Sequence, residues 1–131
     1  MNCEIVLLNI SEILVNFISS TQVDKTVQNQ SFLCLAALFG TKEPLSEVGA
    51  ILRNNKLNLI PILIDYMSEE YVYVIRTESA QVLANIAKNY PDLLWDHWKT
   101  ILRKIRNALN HNDQSKYHLI KKYLNSSQLY V

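Results

Sequence analysis

A chain of 131 residues with 49% hydrophobic residues, 19% charged residues and a net charge of +1 fits one domain with a real core, which excludes a disordered tail or linker. Two glycines and three prolines leave few helix breakers and no Gly-rich phosphate loop. Apolar residues recur at helical spacing rather than in strict alternation, so the chain reads as all-α.

Residues 3–20 predict a helix in which Ile5, Leu8, Ile10, Ile13, Leu14, Phe17 and Ile18 are too many for one narrow stripe, so it should be covered on most sides. Residues 19–22 turn the chain. Asp24 has the chemistry of an N-cap, and a second helix runs to about Phe39, with Gly40 as its stop. Pro44 opens a spacer helix ending at Asn54-Asn55. Leu59, Ile60, Ile62, Leu63, Tyr66 and Met67 mark another helix, and Ser68-Glu69-Glu70 a turn. In the next helix Ala80, Leu83, Ala84 and Ala87 recur at i, i+3, i+4 and i+7, small enough to admit a close neighbour. Pro91 stops it and Asp92 is placed to cap a helix running to about Leu109, whose apolar side is Trp98, Ile101, Leu102, Ile105, Ala108 and Leu109. A last helix is expected over residues 115–125, with Leu119, Ile120, Tyr123 and Leu124 inward.

Shifting the sequence on itself by 48 lays Leu35-Ala36 on Leu83-Ala84, and by 42 lays Ile101, Leu102 and Ile105 on Leu59, Ile60 and Leu63. One domain of three helical pairs follows, at about 3–40, 57–90 and 92–125, with the spacer at about 44–55. Residues 59–94 carry the fullest unit: Leu59-Ile60-Pro61, Ile75-Arg76, Glu78-Ser79-Ala80, Leu83-Ala84-Asn85-Ile86-Ala87 and Pro91-Asp92-Leu93-Leu94 resemble a HEAT repeat. A narrower resemblance, carried by Gln30-Ser31-Phe32-Leu33-Cys34-Leu35, Glu43-Pro44-Leu45-Ser46-Glu47-Val48 and residues 76–83, is to the HEAT repeat-containing protein 6 family. It implies a HEAT/armadillo-like α-solenoid, a non-enzymatic scaffold for another protein, and either a fragment or a reduced relative, since members of that family are much longer chains.

In such stacks the second helices line the partner-facing side. The register puts Thr77, Gln81, Asn85 and Lys88 on an outward stripe, with Leu33 before it and Lys121 after it. Leu33, Gln81, Asn85, Lys88 and Lys121 are therefore the candidate partner-binding row; the competing reading is an ordinary solvated face, with Leu33 buried by the spacer. Charge is uneven. Residues 1–95 carry six Lys or Arg against ten Asp or Glu, and residues 96–131 seven against two. Lys99, Arg103, Lys104, Arg106, Lys116, Lys121 and Lys122 form a basic patch suited to an acidic protein or, second, to nucleic acid. A third reading is a purely structural piece of a larger solenoid.

Catalysis has no constellation to rest on. His97, His111 and His118 lack metal-ligand spacing, so neither metal nor cofactor is expected. Cys3 and Cys34 give no disulfide framework, and Cys34 among apolar neighbours reads as a core hydrophobe. Trp95 and Trp98 read as core packing rather than as anchors for a partner, and Tyr71 and Tyr73 as either edge contacts or local packing. Glu4 and Glu12 interrupt the first apolar run and no basic leader precedes it, so no membrane is implied and a cytoplasmic or nuclear place is expected. The apolar first helix suggests missing neighbouring repeats, self-association or a partner that covers it.

Overall fold

The computed structural model describes residues 3–43, 46–54, 57–68 and 70–110, and among these all regular structure is helical. The order is α1 (Cys3–Ser19), α2 (Lys25–Phe39), α3 (Ser46–Leu52), α4 (Leu59–Asp65), α5 (Tyr73–Asn89), a 3-10 segment (Pro91–His97) and α6 (Trp98–Asn110). The expected last helix over 115–125 lies outside the described residues.

Local chemistry sets most of these ends. Asp24 caps α2, its carboxylate accepting from the Thr26 amide at 2.7 Å, and Gly40 closes the helix with its amide donating to Ala37 O. Asn58 precedes α4 with φ at 52°, a left-handed conformation that asparagine tolerates better than most residues. Pro61 falls within the first turn of α4, where its missing N–H leaves no helix bond unmade. Asp92 does not cap a helix. The chain enters a 3-10 turn at Pro91, the α-helical path resumes only at Trp98, and the Asp92 carboxylate sits 3.5 Å from the Arg53 guanidinium across an exposed gap.

α5 is the centre of the molecule. α2, α4 and the 3-10 segment all pack on it, and Ala80, Val82, Leu83, Ala84, Ile86 and Ala87 are all buried. Most of its circumference is thus enclosed, and the alanines at 80, 84 and 87 permit that approach because they present only a methyl group. α1 packs on α2 and on α3, and α4 also meets α6. The core that joins them includes Ile18, Phe32, Leu35, Phe39, Val48, Ile51, Leu63, Leu83, Ile86, Leu94 and Ile101.

Buried hydroxyls on the helices mostly bond back along their own helix. Ser11, Ser31 and Thr77 each donate at 2.8 Å to the carbonyl four residues earlier. Ser79 is the exception: its hydroxyl is buried and finds no partner among the described residues. Ser79→Ala is therefore expected to raise the unfolding free energy by about 0.5–1 kcal/mol, since it removes an unsatisfied group and adds helix propensity. Urea denaturation checks this; a loss of stability would show that the hydroxyl is bonded.

The first helix departs from expectation. Val15 and Ile18 are buried, but Ile5, Val6, Ile10, Ile13 and Phe17 are exposed, so the helix is not covered on most sides by the described residues. Cys34 also departs, being exposed, because the helix turns Leu35 and Ala36 inward and Leu33-Cys34 outward.

Candidate interaction surface

Two helix C-termini are held by side chains from later in the chain, and this decides what the candidate row can do. The last carbonyls of a helix have no partner within it. Ile18 O, at the end of α1, accepts from Gln28 Nε2 at 2.8 Å and from Tyr66 Oη at 2.9 Å. At the end of α2, Ala36 O accepts from Asn85 Nδ2 at 2.7 Å, while Asn89 Nδ2 donates to Phe39 O at 2.8 Å and to Thr41 O at 2.9 Å. These bonds advance together along α2 and α5, so the two helices lie side by side and parallel.

Gln81 and Asn85, both from the candidate row, thus already have partners inside the chain. Gln81 Nε2 donates to Asn85 Oδ1 at 3.0 Å, which orients the Asn85 amide so that its nitrogen reaches Ala36 O. Gly40 makes room for this: a Cβ there would lie 2.6 Å from Asn85 Nδ2 and 2.7 Å from Ala36 O. Asn85→Ala is expected to cost about 1–2 kcal/mol, because it leaves a partly buried helix-end carbonyl unbonded. Urea midpoints of the two proteins decide it, and equal midpoints would show the bond to be inconsequential.

The exposed stripe on α5 is narrower than the sequence implied. Thr77 is buried, Glu78, Gln81 and Asn85 are half-buried, and Lys88 is exposed. On α2, Leu33 is 51% exposed and not covered by the spacer, because α3 packs on α1 instead. Leu33 and Lys88 are accordingly the open members of the row, and Lys121 lies outside the described residues.

α6 carries the basic residues. Lys99, Arg103 and Arg106 are exposed, whereas Lys104 is half-buried and donates to Ser68 Oγ. Lys116, Lys121 and Lys122 lie outside the described residues, as do His111 and His118. Trp98 packs against the core, and Trp95 is 66% exposed. A separate shallow cleft of about 440 Å³ lies between Arg53, Asn54, Asn58, Pro61, Asp92 and Asp96.

Tyr71 packs locally. Its ring stands edge-on to Tyr66 with centroids 4.8 Å apart, and its hydroxyl donates to Asp65 Oδ2 at 2.9 Å. That bond to a carboxylate, with smaller contributions from burial and neighbouring charge, pushes the phenol up to about 12 from the usual 10.0. Burial also raises Tyr66, helped by the Asp65 charge and opposed by a hydrogen bond with Ser19. Because the folded-state value of Tyr71 lies above the unfolded one, its contribution to stability is complete below about pH 10 and fades as pH rises to about 12. An absorbance titration of tyrosinate is expected to lose a phase at about pH 12 in Tyr71→Phe; an unchanged curve would place Tyr71 away from Asp65.

Among the described residues no three His, Cys, Asp or Glu side chains are grouped to hold a metal ion, and no helix is long and apolar enough to cross a membrane. No family model, curated protein or solved structure matches this chain.

Proposed function

We propose that the chain is a non-enzymatic interaction module built from HEAT-type helical repeats, and that it binds another protein through the outward side of its second helices. The observation that carries this reading is the neighbour pattern. α1 pairs with α2 and α4 with α5, the second members α2 and α5 lie parallel and adjacent, and α4 meets α6. That is how stacked helical repeats share one core between units, and it supports an α-solenoid, although the second helix of the third expected pair lies outside the described residues. Exposed Leu33 and Lys88 give the shared face both apolar and charged character. A cytoplasmic or nuclear setting goes with this reading, since two cysteines far apart in the sequence give no disulfide framework.

The test is affinity capture from cell lysate, with and without nuclease, using the wild type and a Leu33→Asp/Lys88→Glu variant. A protein that survives nuclease and is lost with the variant supports the reading. Capture that disappears with nuclease replaces it with a nucleic-acid-associated module. Indifference to the variant favours a purely structural element.

A further inference from the structure

The outer face of α6 combines charge and apolar surface in a way that selects one kind of partner. Across its 13 residues this helix carries Lys99, Arg103, Lys104 and Arg106 and no acidic residue. Lys99, Arg103 and Arg106 stand at i, i+4 and i+7, so they share one side, spread over about 10 Å at 1.5 Å per residue. All three are exposed, and none has an ion-pair partner among the described residues. Asp96, the nearest carboxylate before them in the chain, lines the cleft beside Arg53 and Asp92. Lys104 is set apart, held by Ser68.

Beside the cationic row lies Leu102, 46% exposed, with the largely buried Ile105 next to it. Together Lys99, Leu102, Arg103, Ile105 and Arg106 line a shallow groove of about 410 Å³. We propose that this groove docks an acidic amphipathic segment of a partner protein, its carboxylates meeting Lys99, Arg103 and Arg106 and its apolar edge covering Leu102. The proposal rests on the reading of the chain as a protein-binding module, and it names the chemistry of a partner. A helix with carboxylates at i, i+4 and i+7 matches the spacing, and its adjacent apolar stripe meets the same strip of α6. A phosphate backbone would engage the cations equally well but would leave Leu102 in water, gaining nothing from the apolar half of the groove. Like charges along one row, without carboxylates between them, repel one another until a partner supplies the opposite sign.

The test uses the full chain and three labelled probes followed by fluorescence anisotropy: a helical peptide with Glu at i, i+4 and i+7 beside a leucine edge, its Lys-substituted counterpart, and a short duplex DNA. The acidic peptide is expected to bind and the basic one not to. Arg103→Glu/Arg106→Glu should weaken the acidic peptide by at least about tenfold, and Leu102→Asp should weaken it as well. These side chains are exposed, so far-ultraviolet circular dichroism and the urea midpoint should be unchanged in both variants. DNA binding tighter than the acidic peptide and insensitive to Leu102→Asp overturns the proposal in favour of phosphate recognition. Equal affinity for acidic and basic peptides, including none for either, overturns it outright. The Leu33→Asp/Lys88→Glu variant leaves α6 intact, so failure here with capture through α2 and α5 preserved removes only the α6 site.

Discussion

Phe32→Ala is expected to lower the unfolding free energy by about 3–5 kcal/mol. The ring is fully buried, so its truncation removes a large apolar surface and leaves a cavity that neighbouring helices fill only in part. It also stands edge-on to Tyr66 with centroids 6.1 Å apart, and Tyr66 is the residue whose hydroxyl holds Ile18 O. Loss of the ring therefore loosens the end of α1 as well as the core. Leu33→Ala, one residue along, is the internal control. Leu33 points outward, so its truncation should change stability by no more than about 0.5 kcal/mol. Urea denaturation of both variants settles the register of α2: similar losses at 32 and 33 would mean that the helix is rotated from the position described.

Ala80→Leu is expected to destabilise by about 1–3 kcal/mol from the opposite cause. Ala80 is 1% exposed on a helix enclosed by α2, α4 and the 3-10 segment, and an isobutyl group there must push one of them away. The same substitution at Lys88, on the exposed stripe, should leave stability within about 0.5 kcal/mol. The informative quantity is the contrast along one helix, read from urea midpoints. Tolerance of leucine at 80 would remove α5 from the centre of the fold.

Much of the helical layout was legible because it depends on short-range chemistry. Asp24 and Gly40 announce the ends of α2 by composition alone, and the 80, 83, 84, 87 spacing identifies the buried face of α5 directly. The beginning of α6 was not legible. Proline opens a 3-10 turn as readily as an α-helix, and no residue between 91 and 97 distinguishes the two in advance. Nor could Thr77 be placed from its polarity, since its hydroxyl bonds to the carbonyl of Tyr73 and so tolerates burial. The reading of Cys34 failed for a related reason: apolar neighbours on both sides say nothing about which of them share its face.

The candidate row shows a different limit. Asn85 reads as an outward polar residue, and in periodicity it is one; what the sequence hides is a carbonyl 49 positions earlier that lies within reach of its amide. Asn89, which bonds twice to the end of α2, carried no signal at all. Contacts between a side chain and a distant backbone atom leave no periodic trace. The basic residues of α6 were visible from the start, while the exposure of Leu102 beside them depends on the packing of α4 and the 3-10 segment against that helix.

The bonds that close the helix ends share a direction. Every donor follows its acceptor in the chain: Gln28 and Tyr66 after Ile18, Asn85 after Ala36, Asn89 after Phe39 and Thr41. As the polypeptide leaves the ribosome, Gln28 of α2 supplies one partner for the end of α1, but the Tyr66 bond to α1 and the asparagine bonds to the end of α2 wait until α4 and α5 have been made. Assembly has a built-in order in which the α1–α2 pair is completed by the α4–α5 region synthesised after it. The finished protein is correspondingly hard to take apart in pieces, because melting α5 strips the asparagine partners from α2, and losing the region around Tyr66 removes one of the two donors from the end of α1. The α1–α2 and α4–α5 pairs so joined are expected to melt as one cooperative unit rather than as beads on a string.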